Sequence, residues 1–186
     1  DRLEERLATT GELIALGERA ALPELEVQGR HWRVVDLLEA GDMALADAEL
    51  DRYAQATERL GLPAWSWYVP LWRGCRAIMA GRYDDAQSRI EAALSIQPDH
   101  LGSTELLGSV LIARGELGAA TGLYEALIER APAADLHGRL ADLYRADGRI
   151  AEAEEQIALG LAVAAAQADA FPAERRHLIG FYADHQ

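Results

Sequence analysis

Gly81-Arg82-Tyr83-Asp84-Asp85-Ala86, followed by alternating alanines and larger apolar residues up to Pro98, decides how this chain is read. It has the makings of a corner and the second helix of an antiparallel pair. A glycine closes one helix, acidic residues support the start of the next, and an alanine leaves room for a close neighbour. Three further copies can be laid over it: Gly41-Asp42-Met43-Ala44-Leu45-Ala46, Gly115-Glu116-Leu117-Gly118-Ala119-Ala120 and Gly148-Arg149-Ile150-Ala151-Glu152-Ala153. Their leading glycines are 40, 34 and 33 residues apart, the period of stacked helical pairs. The pattern predicts an all-α fold of about ten antiparallel helices.

Composition narrows the function classes. Half of the 186 residues are hydrophobic and only 6% aromatic, with alanine supplying much of the total. Alanine favours helix and lets backbones approach. The 18 basic residues are all arginine and face 31 acidic ones, for a formal charge of -13. Such a chain repels phosphate backbones and anionic membranes, so neither nucleic acid nor membrane is expected as a partner. No apolar run reaches the length of a bilayer span, and the acidic first 20 residues do not form a signal peptide. The lone Cys75 leaves no internal disulfide framework. These features point to the cytoplasm. The missing initiator methionine and an ending in mid-helix suggest a piece excised from a longer protein.

The expected helices cover 2–21, weakly interrupted at Thr9-Thr10-Gly11, then 23–40, 43–60, 64–80, 83–96, 100–114, 116–130, 134–147, 149–167 and a last one from Pro172 through Tyr182. The segment 64–80 is unusual. It holds Trp65, Trp67, Tyr68 and Trp72 in an aromatic-poor chain, and Pro70 either sits in the first turn of a helix starting near Val69 or kinks one starting near Ala64. The repeat length favours the start near Ala64. Before Pro98 the repeats are long and carry tryptophan; after it there is none. We therefore expect one helical-repeat domain over 1–186, with longer repeats in 1–97 and regular ones, the last truncated, in 98–186. The change of style fits either a natural transition or an engineered splice.

These residues resemble the tetratricopeptide repeat superfamily, whose pattern has a small residue midway along the first helix, a glycine before the turn, an alanine early in the second helix and a boundary proline. Gly74, Gly81, Ala86 and Pro98 fit it, as do Gly108, Gly115, Ala120 and Pro132. Ala141, Gly148 and Ala153 follow more loosely, and Val34, Gly41 and Ala46 form the earliest copy. The family's early tryptophan is absent: Arg30, Pro70, Thr104 and His137 stand in its place. Residues 22–97 also resemble the helical repeats of large actinobacterial ATPase-containing transcriptional regulators and adenylate-cyclase-associated proteins, and 99–186 a generic bacterial array of the superfamily. The resemblance implies a right-handed α-solenoid that binds partners or couples domains without catalysing a reaction.

In a common register, His31, Val35 and Leu38 align with Leu71, Cys75 and Ile78 on the expected inner wall, and Trp32-Arg33 recurs as Trp72-Arg73. The candidate interaction surface is His31, Trp32, Val35, Leu71, Trp72, Cys75, Arg76 and Ile78. Rigid indoles make good binding anchors, and Arg30, Arg33, Arg73 and Arg76 offer planar donors to an acidic or phosphorylated partner. The reading we prefer is that the tryptophans fill space between long helices while the arginines pair with Asp36, Glu39 or Asp47. Relatives that clamp a terminal carboxylate use lysine and asparagine, and this chain has no lysine. Cys75 reads as an inert thiol.

No catalytic residues, metal ligands or cofactor are expected. The five histidines show no metal-ligand spacing, and Glu4-Glu5, Asp84-Asp85 and Glu154-Glu155 are helix neighbours that point in different directions. Gly115-Glu116-Leu117-Gly118 lacks the lysine and spacing of a phosphate loop. The sequence thus favours a non-catalytic scaffold for a protein or peptide, with self-association through open helical ends. Two alternatives remain: a structural spacer or chimeric repeat protein without its own ligand, and a small-ligand-sensing domain of a transcriptional regulator with a pocket between Trp65 and Cys75.

Overall fold

A computed structural model of the chain describes residues 2–170, with side chains through Gln167. It forms two compact units, Asp1–Asp99 and His100–Gln186. In the first lie α1 (Arg2–Ala20), α2 (Pro23–Glu39), α3 (Met43–Leu60), the single turn α4 (Pro63–Ser66), α5 (Tyr68–Met79) and α6 (Tyr83–Ile96). In the second lie α7 (Leu101–Ala113), α8 (Leu117–Arg130), α9 (Ala134–Ala146) and α10 (Ile150–Ala170). Among the described residues there is no strand. The expected helix after Pro172 lies outside the described residues.

The four repeat glycines and Gly61 have left-handed backbone, with φ between 69° and 78°. Glycine adopts this conformation without the steric penalty of a side chain, and it ends a helix by turning the chain back. After Gly41, Asp42 starts α3 by accepting a hydrogen bond from the Leu45 amide at 3.0 Å. The alanines five residues beyond the four repeat glycines, Ala46, Ala86, Ala120 and Ala153, are all buried. Both halves of the sequence pattern therefore mark matching structural positions.

Two expectations need correction. Thr9, Thr10 and Gly11 do not interrupt α1, because the hydroxyls of Thr9 and Thr10 donate to the carbonyls of Glu5 and Leu7 within the helix. The continuous helix expected from Ala64 to Ala80 is instead α4 and α5, separated at Trp67, which places Pro70 in the first turn of α5. The cause is local. Proline has no N–H to offer the Ser66 carbonyl, and its ring crowds the preceding turn. Trp67 nevertheless keeps right-handed helical angles (φ -64°, ψ -23°), so a missing rung divides two segments that continue in the same sense.

Burial is organised within each unit. In the first, Val27 and Val34 of α2 meet Leu50, Tyr53 and Ala56 of α3, with Trp65, Tyr68, Val69 and Trp72 packed around them. In the second, Leu111, Tyr124, Leu127, Leu140 and Tyr144 form the centre. The approach of α1 to α2 depends on Gly17, where an added Cβ would stand 2.5 Å from the Glu26 backbone nitrogen.

Candidate functional site

The α2 helix carries His31 into a ring of aromatic side chains. Its imidazole lies 4.4 Å from Tyr68, 5.3 Å from Trp32, 5.7 Å from Trp72 and 5.9 Å from Tyr53, between ring centroids. Tyr68 and Trp72, one helical turn apart on α5, stack with their planes only 16° apart. The Pro63–Trp67 segment completes the cluster: Trp65 reaches His31 at 6.3 Å, and the Trp65 carbonyl accepts the buried Tyr53 hydroxyl at 2.7 Å. His31 Nδ1 and Trp72 Nε1 are buried without a hydrogen-bond partner. Desolvation holds the His31 imidazole below the ordinary histidine range and raises the Tyr53 phenol.

The tryptophans divide by exposure. Trp67 is 6% exposed and belongs to the core, Trp65 and Trp72 are half-buried, and Trp32 is 53% exposed. Trp32 forms one lip of an open groove of about 520 Å³ between α1 and α2, with Thr9 and Thr10 among its lining. Arg2, Glu5 and Arg6 make its rim. At its inner end Arg6 is bonded to the buried Asp36 at 2.8 Å and also to Glu39.

The residues singled out in the sequence thus separate. His31 and Leu71 are buried, Val35 and Ile78 half-buried, and His31 joins Trp32 to Trp72 through ring contacts. Cys75 is half-buried with its thiol pushed up by burial, which keeps it protonated and weakly nucleophilic. Arg76 turns to α3, where it grips both oxygens of Asp47 at 2.7 and 3.0 Å, a pairing anticipated from sequence. Asp36 and Glu39 pair with Arg6 instead. Arg33 donates to the Leu7 carbonyl, while Arg30 bonds Glu18, Glu26 and Glu49. These arginines therefore tie helices together.

Sequence reasoning missed Tyr53 and Tyr68 as ring partners of His31, and the part α1 takes in the groove. It also missed a second cleft of about 200 Å³ where Arg73 and Arg76 of α5 meet Arg82 and Arg89. The spacing of Arg82 and Arg89 about Asp85, three and four residues away, was the available signal. No three histidine, cysteine or acidic side chains come together as a metal-ligand group among the described residues. None of the described helices is long and apolar enough to cross a membrane.

Comparison with known proteins places the fold. Residues 77–137 match the family described as tetratricopeptide repeat. BtubC from P. vanneervenii superposes with a TM-score of 0.71 at 18% identity, over 88% of this chain and 74% of its own. A Podosopora anserina putative kinesin light chain with nearly identical TPR-like repeats gives 0.67 at 17% identity, over 91% of this chain and 89% of its own. YrrB, described as a TPR protein with an unusual peptide-binding site, gives 0.61 at 15% identity, over 87% and 78%. No curated protein matches the sequence. Residues 77–137 carry the family signature, and the same glycine corners and buried alanines recur in pairs on both sides of that segment, so the chain has the helical-repeat fold of tetratricopeptide-repeat proteins.

Proposed function

We propose that the chain is a non-catalytic cytoplasmic scaffold, which binds a peptide segment of a partner protein in the groove between α1 and α2. The observation that carries this reading is Trp32. A tryptophan more than half exposed is uncommon, and this one stands at the lip of an open groove, against the edge of the buried His31 ring. An apolar side chain of the peptide packs against the indole, while the rim of Arg2, Glu5 and Arg6 orients its backbone and polar groups. Peptide binding by YrrB, a protein of the same fold, supports this class of partner.

The remaining candidate residues act through support. His31 holds Trp32 by an edge contact and is itself packed against Trp72, while Leu71 is buried in α5, so replacing these residues changes stability before it changes recognition. The test begins with selection from a displayed random-peptide library and calorimetry on the selected peptide. Trp32→Ala is expected to weaken binding by about tenfold or more while leaving helix content intact. Unchanged affinity in the folded variant excludes this groove.

A further inference from the structure

The cleft between α3, α5 and α6 lies apart from the Trp32 groove and has the opposite character to the chain as a whole. In a protein of formal charge -13, it gathers four arginines around a space of about 200 Å³. Three carboxylates answer them. Asp47 takes both bonds from Arg76, Asp51 takes one from Arg73 at 3.1 Å, and Asp85 is shared by Arg82 at 2.7 Å and Arg89 at 2.6 Å. The balance is one positive charge, and most guanidinium N–H groups remain uncommitted, because Arg73, Arg82 and Arg89 each spend only one on a carboxylate.

The four arginines differ in mobility. Arg76 is held two-pronged on Asp47 and mostly covered, so it is a fixed part of the wall. Its hydrogen bond, assisted by the charge of Arg82, keeps Asp47 below the usual carboxylate range. Arg73, Arg82 and Arg89 are substantially exposed and joined to exposed or half-exposed carboxylates, so these contacts give way at little cost. The floor includes the buried Leu50, which limits solvation from below.

We propose that this cleft binds the phosphate monoester of a phosphorylated serine or threonine on a protein partner. A ligand competes with resident carboxylates for the same guanidinium groups, which a further single charge does poorly. A phosphate monoester carries about -1.5 to -2 and presents three acceptor oxygens to planar guanidinium forks. Nucleic acid fits less well, since its extended run of charge meets a strongly acidic protein, whereas the cleft admits one compact group. The site stands independently of the Trp32 groove and has its own test.

Nitrogen-15-labelled full chain is titrated with a phosphoserine peptide, its unphosphorylated form and inorganic phosphate, following the arginine Nε–Hε resonances. The phosphopeptide is expected to shift Arg73, Arg82 and Arg89 saturably, and the unphosphorylated peptide is not. R82Q with R89Q lowers the affinity about tenfold, whereas Asp51→Asn, which frees Arg73, raises it. Absence of saturable shifts, an equal response to the unphosphorylated peptide, or indifference to R82Q with R89Q overturns the proposal. Saturation by inorganic phosphate without response to the phosphopeptide overturns the assignment to a protein partner.

Discussion

The imidazole of His31 meets the phenol ring of Tyr68 nearly edge-on, with centroids 4.4 Å apart and planes inclined at 62°. This contact joins α2 to α5 and keeps a titratable group dry. Its folded-state pKa lies below the ordinary value of 6.5 because burial disfavours the charged ring. Above that value both folded and unfolded chains hold His31 neutral, and its stabilising effect is complete. As pH falls below it, the unfolded chain takes up a proton that the folded one refuses, so stability declines until the lowered folded pKa is reached. His31 is the sole histidine of residues 1–99. Denaturant melts between pH 7 and 5 should show this loss in the wild type, and His31→Phe should flatten it. An equal slope in both proteins assigns the loss elsewhere.

Gly17 and Gly74 look alike in sequence, yet they predict different outcomes. A methyl group at Gly17 collides with the Glu26 backbone, 2.5 Å from its nitrogen, whereas at Gly74 it meets a side-chain atom, Cγ1 of the buried Ile90, at 2.9 Å. Gly17→Ala should cost about 1–3 kcal/mol, because α1 and α2 must separate. Both substitutions gain about 1 kcal/mol of helix propensity, but a side chain shifts more readily than the Glu26 backbone, so Gly74→Ala should show the smaller net loss. Chemical denaturation of both variants checks the order.

Ala21 occupies the corner between α1 and α2 with φ 54°, a left-handed conformation that five other corners, at Gly41, Gly61, Gly81, Gly115 and Gly148, give to glycine. An L-residue in this region is strained by roughly 1–2 kcal/mol. Ala21→Gly relieves the strain but enlarges the conformational freedom of the unfolded chain, so a net gain of about 0.5–1 kcal/mol is expected. A higher melting temperature is the readout, and a fall would show that the corner is not strained.

Glu49 is buried on α3, with Arg30 of α2 bonded at 2.8 Å and Arg52 at 3.1 Å. Arg30 also reaches Glu18 of α1, so one guanidinium links three helices. Glu49→Ala should cost on the order of 3 kcal/mol, since it leaves a largely buried arginine short of a partner. Glu49→Ala paired with Arg30→Met should recover part of that loss in denaturation experiments.

The corners were legible because the backbone sign they require restricts the residue choice. Gly41, Gly81, Gly115 and Gly148 therefore fixed the repeat register, and all four have φ above zero. Ala46, Ala86, Ala120 and Ala153 were legible for a similar reason, since close helix packing selects a small side chain. The aromatic cluster was harder to read. Which of Trp65, Trp67 and Trp72 faces the core depends on the missing rung at Pro70, which a continuous helix from Ala64 does not include. Register placed His31 on an open wall, but the α4 and α5 aromatics close over it. The arginine cleft depends on side chains from three helices, and pairing rules along a single helix reveal only Arg82, Asp85 and Arg89.

At Gly41, Gly61, Gly81, Gly115 and Gly148, an added Cβ would meet nothing within 4 Å. These corners are therefore selected by handedness alone, with no neighbour's shape involved. A D-alanine introduced by chemical ligation should fit any of them while stiffening the unfolded chain.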